Sequence, residues 1–539
     1  MSTPYPQLAT RVGAGHPAVL SRRARERMLV GVSALVPLVI ALAISIAMPQ
    51  PEAKSVAEVI GGLIGVVGIS VLVVSTRYSV TLTVLAVYLG LMDGPIKEFT
   101  ASKLASGFRD ILILAIALGM LMRLVSKRER VAFAPLSGLV LGFVTVTVFQ
   151  AFNPDTNGFL KILGGYRQQL EFVPIFFFAY MIMRNKQRFR QLFLILGVIA
   201  LANGMVGAYQ ARLTPAQLAG WGPGYGEKVK GNNGGGLTGR TYSVEGEGHN
   251  RPPALGSDSG FGGGVGVLAL PGLMALLVAG RLRRRWPVML LCLGALAGVA
   301  TAASRTSVIT AIIALTSFGA LSIIARLRVG RPLAGVAAVA VLAGGVVFGL
   351  AAIEGSSIFH RQESIIKIAS GEQTGGDAKS KHLNEVPRDL VHAPFGLGLG
   401  VSGAVAGFGG KERVTIENEK VSGGSAFNLL AVEVGAPGLI LWVGLTASTL
   451  LLGIRRLRRI VDPELRVYLV AVLASYATFT VQGFVGTTLA VTPGGAYIWF
   501  VPGVVAYWFL GPGWKAMAAP RGAATGVASG GGMIAPSVA

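Results

Sequence analysis

The sequence predicts an all-α, polytopic integral membrane protein with about 12–14 transmembrane helices and a large extracytoplasmic loop. Three observations carry that prediction. The 539 residues are 52% hydrophobic and only 14% charged, whereas a soluble protein carries roughly 25% charged residues. Apolar runs recur along the chain at lengths near the roughly 20 residues that a helix needs to cross a bilayer. The basic residues, which give a net charge of +23, gather in alternate loops, as the positive-inside rule requires of cytoplasmic segments.

Taken in order, residues 1–27 form a basic cytoplasmic N-terminus ending in SRRARER (Ser21 to Arg27). The first apolar run, 28–48, is long for a signal-peptide core and is followed closely by another, so it reads as a retained anchor. Further runs lie at 56–75, 78–92, 106–125, 133–152, 170–183, 190–209, 260–280, 287–303, 306–325 and 333–352. The membrane helices of 28–353 thus precede a large extracytoplasmic loop, 354–426. The C-terminal helices of 427–511 follow, from runs at 427–453, 467–482 and 492–511. Residues 512–539 read as a disordered cytoplasmic tail rich in Gly, Ala and Ser.

The basic loops set the orientation: RLVSKRER (Arg123 to Arg130), RNKQRFR (Arg184 to Arg190), RLRRR (Arg281 to Arg285), RLRVGR (Arg326 to Arg331) and RRLRR (Arg455 to Arg459). With both termini on their side, 28 of the 48 Lys and Arg fall there, against 4 of the 25 Asp and Glu. The whole net charge then sits on one face, so it orients a multi-pass plasma-membrane protein and gives nucleic acid no support as a partner. Membrane lipid is the expected surround.

Outside lie a Gly-rich loop near 210–259, the loop 354–426, and smaller loops at 93–105 and 153–169. The Gly-rich piece lacks GxxxxGK[ST] and follows no strand, which argues against a phosphate-binding P-loop. A single Cys, Cys292, excludes an intramolecular disulfide and any Cys-based metal site. The five His show no metal-ligand spacing. No metal and no cofactor are expected.

Ionisable residues at membrane depth are costly and mark function or pairing. Arg109 and Asp110 read as mutually neutralising near a helix end, and Arg167 with Glu171 as a local pair at helical spacing. Arg305 stands in TAASRTS (Thr301 to Ser307), between two apolar runs with almost no loop to carry it into water. A guanidinium ringed by Ser304, Thr306 and Ser307 suits a phosphate or diphosphate, which Arg holds by charge-assisted, bidentate bonds. The polar loop adds Lys379, Lys381, His382, Glu385, Arg388, Asp389 and His392, with 378–391 reading as a short helix stopped by APFGLGLG (Ala393 to Gly400).

Several of these features share an order. An SRT at the start of an apolar helix precedes a long outer loop, then a basic residue upstream of PFGLGLG, then SAFNLLAVEVGAPGL (Ser425 to Leu439). This order, with RPPALGSDSGF (Arg251 to Phe261) before a central helix, resembles the O-antigen ligase and polymerase family of bacterial membrane glycosyltransferases over about residues 160–450. The resemblance implies a polytopic helical fold and transfer of a glycan from undecaprenyl diphosphate to an acceptor hydroxyl, without metal or nucleotide sugar. Other polysaccharide-assembly proteins would be partners. It implies that Arg305 holds the diphosphate, with a basic group among Lys379, Lys381 and His382 where the family has a second Arg; Arg251 and Arg167 are further candidates for binding the substrate. The family's His-Asn pair falls on Phe427-Asn428, so the expected base is replaced by Phe. His392, Glu433 and the retained Asn428 are then the catalytic candidates, with Glu417 and Glu419 as further acids. A non-catalytic assembly subunit and a polysaccharide or lipid transporter are the alternatives.

Overall fold

The computed structural model describes residues 78–101, 107–126, 133–156, 158–230, 241–244, 247–258, 260–279, 285–327, 377–406, 415–416, 419–420, 423–489 and 491–518. The stretch 1–27, the apolar runs 28–48, 56–75 and 333–352, Glu417, and the tail beyond 518 lie outside the described residues.

Among the described residues the chain is mostly helical. Helix α1 (Tyr78–Val87) runs through a π-helix (Tyr88–Met92) into α2 (Asp93–Thr100). There follow α3 (Gly107–Ser126), α4 (Ser137–Phe149), α5 (Phe159–Leu170), α6 (Pro174–Ile182) and α7 (Lys186–Ala211). Two short helices, α8 (Pro215–Ala219) and α9 (Pro223–Lys230), precede an antiparallel ribbon of β1 (Thr241–Val244) and β2 (Glu247–Asn250). Next come α10 (Phe261–Ala279), α11 (Trp286–Thr301), α12 (Arg305–Ile324) and, in the polar segment, α13 (Asp377–His392). A two-residue ribbon, β3 (Thr415–Ile416) with β4 (Glu419–Lys420), leads to α14 (Ala426–Leu457), α15 (Pro463–Gln482), α16 (Gly494–Val505) and α17 (Pro512–Ala518). Among the described residues, seven helical stretches are long and apolar enough to cross a membrane.

The surface carries the mark of lipid. On α3, Leu114, Leu118 and Leu121 are 68%, 53% and 56% exposed, an apolar stripe at helical spacing. Helix α5 is inverted: Phe159, Leu160 and Leu163 are exposed while Lys161, Gln168 and Gln169 are buried. Polar residues inside and apolar ones outside suit a helix solvated by lipid. Sequence reading takes 153–169 as a loop because Gly164-Gly165 and the charges interrupt its apolar pattern. It is helical because its polar face finds partners within the protein.

Helix α10 is the hub, packed against α7, α11, α12 and α15. Small residues bring these axes together. A Cβ on Gly298 would lie 2.8 Å from the Gly262 carbonyl, and one on Gly294 2.5 Å from Leu201 Cα. In lipid, such close van der Waals packing drives helix association, since hydrocarbon gives no hydrophobic force between helices.

Backbone irregularities are each re-paired within the protein, as an apolar surround demands. At the π-helix, Asn203 Nδ2 donates to the Gly90 carbonyl at 3.0 Å, and Asn203 Oδ1 accepts from Leu255 N at 3.0 Å. The passing RPPALG segment is gripped again by Gln210, which accepts from Ala254 N at 2.8 Å and donates to Ala254 O at 3.1 Å. The third break is in α14, kinked at Gly435 (φ 64°, ψ −166°). A regular helix would bond Ala436 N to Val432 O. Instead Leu397 N donates to Val432 O at 2.7 Å, and Ala436 N donates to Pro394 O at 2.8 Å. Residues 393–402 are thus wedged into the opened helix. Asn153 Nδ2 on Gly396 O (2.9 Å), Leu399 N on Thr156 Oγ1 (3.0 Å) and Gln150 Nε2 on Phe395 O hold them there. This part of the expected external loop lies among the helices.

The two ends of the bundle differ. At one end Ala426 N donates to the carbonyls of Gly483 and Gly486, joining the start of α14 to the loop after α15. At the other, Arg458 Nε donates to Ile324 O at 2.7 Å and Arg466 to Ala325 O at 3.2 Å. These guanidiniums cap the C-terminus of α12, where cations are favoured. Basic residues expected only to orient the chain therefore also terminate a helix.

Candidate functional site

Helices α10 and α12 begin at the same end of the bundle, and their first turns touch. A Cβ on Gly260 (φ 86°) would lie 3.8 Å from Ser304 Cβ, and one on Gly263 2.5 Å from Ser307 Oγ. Ala303, at φ 47°, turns the chain into α12, whose N-cap Ser304 makes no side-chain capping bond. Arg305 is the first helical residue. Its Nε is buried without an acceptor, and no carboxylate pairs with it among the described residues. A part-buried guanidinium beside two helix N-termini, each with partial positive charge, is arranged to receive an anion.

A contact path leads from Arg305 to the start of α14. A Cβ on Gly264 would lie 3.4 Å from Pro493 Cδ, and one on Gly494 3.1 Å from Thr488 O. One on Gly483 would lie 3.3 Å from Thr488 Oγ1 and 3.5 Å from Ala426 Cβ. Ser425 Oγ then caps α14 by accepting from Asn428 N at 3.0 Å. Buried Asn428 gives Nδ2–H to Asp389 Oδ2 at 2.8 Å. Asp389, itself buried, also accepts from Arg388 at 3.0 Å. Burial pushes the Asp389 carboxyl above its ordinary range, against the lowering effect of Arg388 and Asn428.

Glu433 lies about one and a half turns further along α14 with no exposure. Its carboxylate accepts from Gln169 Nε2 at 2.9 Å, Gln168 Nε2 at 3.4 Å, and Ser402 N and Oγ at 3.3 and 3.4 Å. It ties α5 and the wedge to α14. Phe427, at the place of the family's His, stacks on Phe484 (centroids 4.3 Å, 21°) and meets Trp442 edge-on at 5.1 Å.

The other candidates fall as follows. His392, exposed at the end of α13, has Nδ1 2.9 Å from the Arg388 carbonyl. The side chains of Lys379, Lys381 and His382 lie outside the described residues, although α13 includes their backbone. Arg251, partly exposed, directly follows β2. Arg167 is taken up by Asp110 at 3.1 Å and Glu171 at 3.8 Å. Its neighbour in the network, Arg109, pairs with Glu171 and, at 3.3 Å, with Asp93. Arg109 and Asp110 therefore do not neutralise each other as expected; each pairs across to another helix or turn, because adjacent residues on a helix do not face one another.

The structure brings Asn428 and Asp389 together and places Glu433 on Gln168, Gln169 and Ser402. Sequence reading weighed charges and so passed over Gln168, Gln169, Asn203, Gln210 and Thr488. The available signal was neutral polar side chains in or beside apolar runs, notably the Gln pair. No protein-family model and no curated protein matches this chain.

Proposed function

We propose that this chain is a membrane glycosyltransferase of the O-antigen ligase and polymerase type, serving cell-envelope or exopolysaccharide assembly. It would cross the plasma membrane about 12–14 times with both termini cytoplasmic, and move a glycan from undecaprenyl diphosphate to an acceptor hydroxyl at the outer face. The observation that carries this reading is Arg305, a part-buried cation without a counter-ion among the described residues, where two helix N-termini meet. In the transfer, the acceptor oxygen bonds to the anomeric carbon as that carbon's bond to the diphosphate breaks. The lipid diphosphate leaves with the electron pair, and the hydroxyl proton passes to a base. Arg305 and the helix N-termini would stabilise the charge growing on the leaving group.

The proton is assigned to His392. Its Nδ1 lies 2.9 Å from the Arg388 carbonyl, and in the tautomer that donates from Nδ1 to that carbonyl Nε2 is the nitrogen that would take a proton. Glu433 faces only donors and is assigned to holding the wedge. A second reading, a non-catalytic subunit of the assembly machinery, is favoured by Phe427, whose aromatic stack offers no base. The test is a transfer assay on the full chain in nanodiscs, with undecaprenyl-diphosphate oligosaccharide from the host. Release of lipid diphosphate by wild type, lost in Arg305→Ala and slowed 10²–10⁴-fold in His392→Ala, is the expected result. Arg305-dependent binding without release selects the subunit. No binding overturns both.

A further inference from the structure

Among the described residues, the buried polar atoms at this end that lack a hydrogen-bond partner include Arg305 Nε, Thr488 Oγ1 and Asn428 Oδ1. Among the described residues, none of the three side chains makes a further hydrogen bond or ion pair beyond those described above. Leaving such a group unsatisfied is unfavourable, so three along one contact path call for a cause. The contact path already traced joins them. Thr488 sits between the first turn of α14, through Gly483 and Ala426, and the first turn of α10, through Gly494, Pro493 and Gly264. Ser304, beside Arg305, lies against Gly260 at the start of α10.

Their chemistry differs along the path. Arg305 Nε can only donate, Thr488 Oγ1 can donate or accept, and Asn428 Oδ1 can only accept. The carboxylate of Asp389 must face the Asn428 NH2, so it fixes the amide with Oδ1 turned away. A ligand complementary to the row carries an anionic group at one end and hydroxyls next to it. Such a ligand would displace whatever closes the row, since Asn428 is fully buried here.

We propose that Thr488 and Asn428 form a hydroxyl-recognising subsite continuous with Arg305, taking the first sugar of a glycan whose diphosphate lies on Arg305, with Asp389 as the positioning residue for Asn428. This deepens the glycosyltransferase reading and rests on it. It also gives the retained Asn of the Phe427-Asn428 pair a task that needs no neighbouring His.

The test compares two probes on the full chain in nanodiscs: bare undecaprenyl diphosphate and the same lipid bearing its oligosaccharide. Arg305→Ala is expected to weaken both about equally. Thr488→Val, which keeps shape and removes one hydroxyl, is expected to weaken only the glycan-bearing lipid, about tenfold for one hydrogen bond. Asn428→Ala should do the same. Should that variant fail to fold, Asp389→Asn combined with Asn428→Asp keeps both the hydrogen bond and an acceptor oxygen, and is expected to bind within about threefold of wild type. Equal weakening of both probes by Thr488→Val, or no weakening of either, overturns the subsite while leaving the lipid site standing. Arg305-independent binding, or none in wild type, overturns the underlying function as well.

Discussion

Glu433 shows what a buried carboxylate can do when every neighbour is a donor. Two carboxamides and Ser402 converge on it, so its oxygens are met by hydrogen bonds and have no exposed face. Glu433→Gln would turn an NH2 toward one of those donors, leaving buried groups unpaired at a cost of about 1–3 kcal/mol. The expected outcome is a lower unfolding midpoint in detergent together with faster amide exchange at Leu397, while the α10–α11 interface keeps its protection. Unchanged exchange at Leu397 would remove Glu433 from the holding role. At this scale the sequence was legible only where charge made it so. Arg305 stood out because nothing nearby could carry a guanidinium into water. Gln168 and Gln169 did not, because amides carry a smaller burial penalty and their partner lies more than 260 residues away.

Among the elements, the kink in α14 and the wedge are one construction. The Gly435-Ala436-Pro437 sequence signals a broken helix, since Pro437 lacks an N–H and Gly435 takes a left-handed φ. What fills the break was not legible: pairing Pro394 and Leu397 with Ala436 and Val432 needs the tertiary fold. Gly435→Ala tests the coupling. Its Cβ would overlap Gly396 N and lie 2.6 Å from Pro394 O, both backbone atoms that cannot rotate aside. The backbone at φ 64°, ψ −166° lies in a region essentially restricted to glycine, where another residue costs about 1–3 kcal/mol, and the overlap must displace the wedge. The variant is therefore expected to lose stability by more than 2 kcal/mol, measured by thermal unfolding. It should also lose protection at Leu397 and Ala436 together. Independent loss at only one of these amides would show that wedge and kink are not coupled. Helix α5 teaches the converse lesson: its inverted face hides from any search for apolar runs, yet its helical spacing of Lys161, Gln168 and Gln169 is that of a polar face turned inward.

Over the whole molecule, the arrangement separates two kinds of chemistry by end. Among the described residues, one end gathers the N-termini of α10, α12 and α14, a guanidinium without a counter-ion, the Thr488 hydroxyl and the Asn428 amide oxygen. The opposite end gathers arginines on helix C-termini and the Lys186–Asp462 pair at 2.9 Å. Helix dipoles and side-chain charges reinforce each other at both: anions are drawn to the first end, and exposed arginines at the second suit an anionic cytoplasmic leaflet. This polarity makes the orientation testable with one reagent. Cys292 is buried and the chain has no other Cys, so the background is silent to a membrane-impermeant maleimide. Asp155 is exposed just beyond α4, beside the residues that hold the wedge, and Arg459 is exposed beyond α14. In cells stripped of any outer barrier, Asp155→Cys is expected to label at once and Arg459→Cys only after the membrane is permeabilised. The reverse pattern would turn the molecule over. Arg305 would then face the cytoplasm, where a lipid-linked glycan is built rather than transferred, and the positive-inside assignment would fail with it.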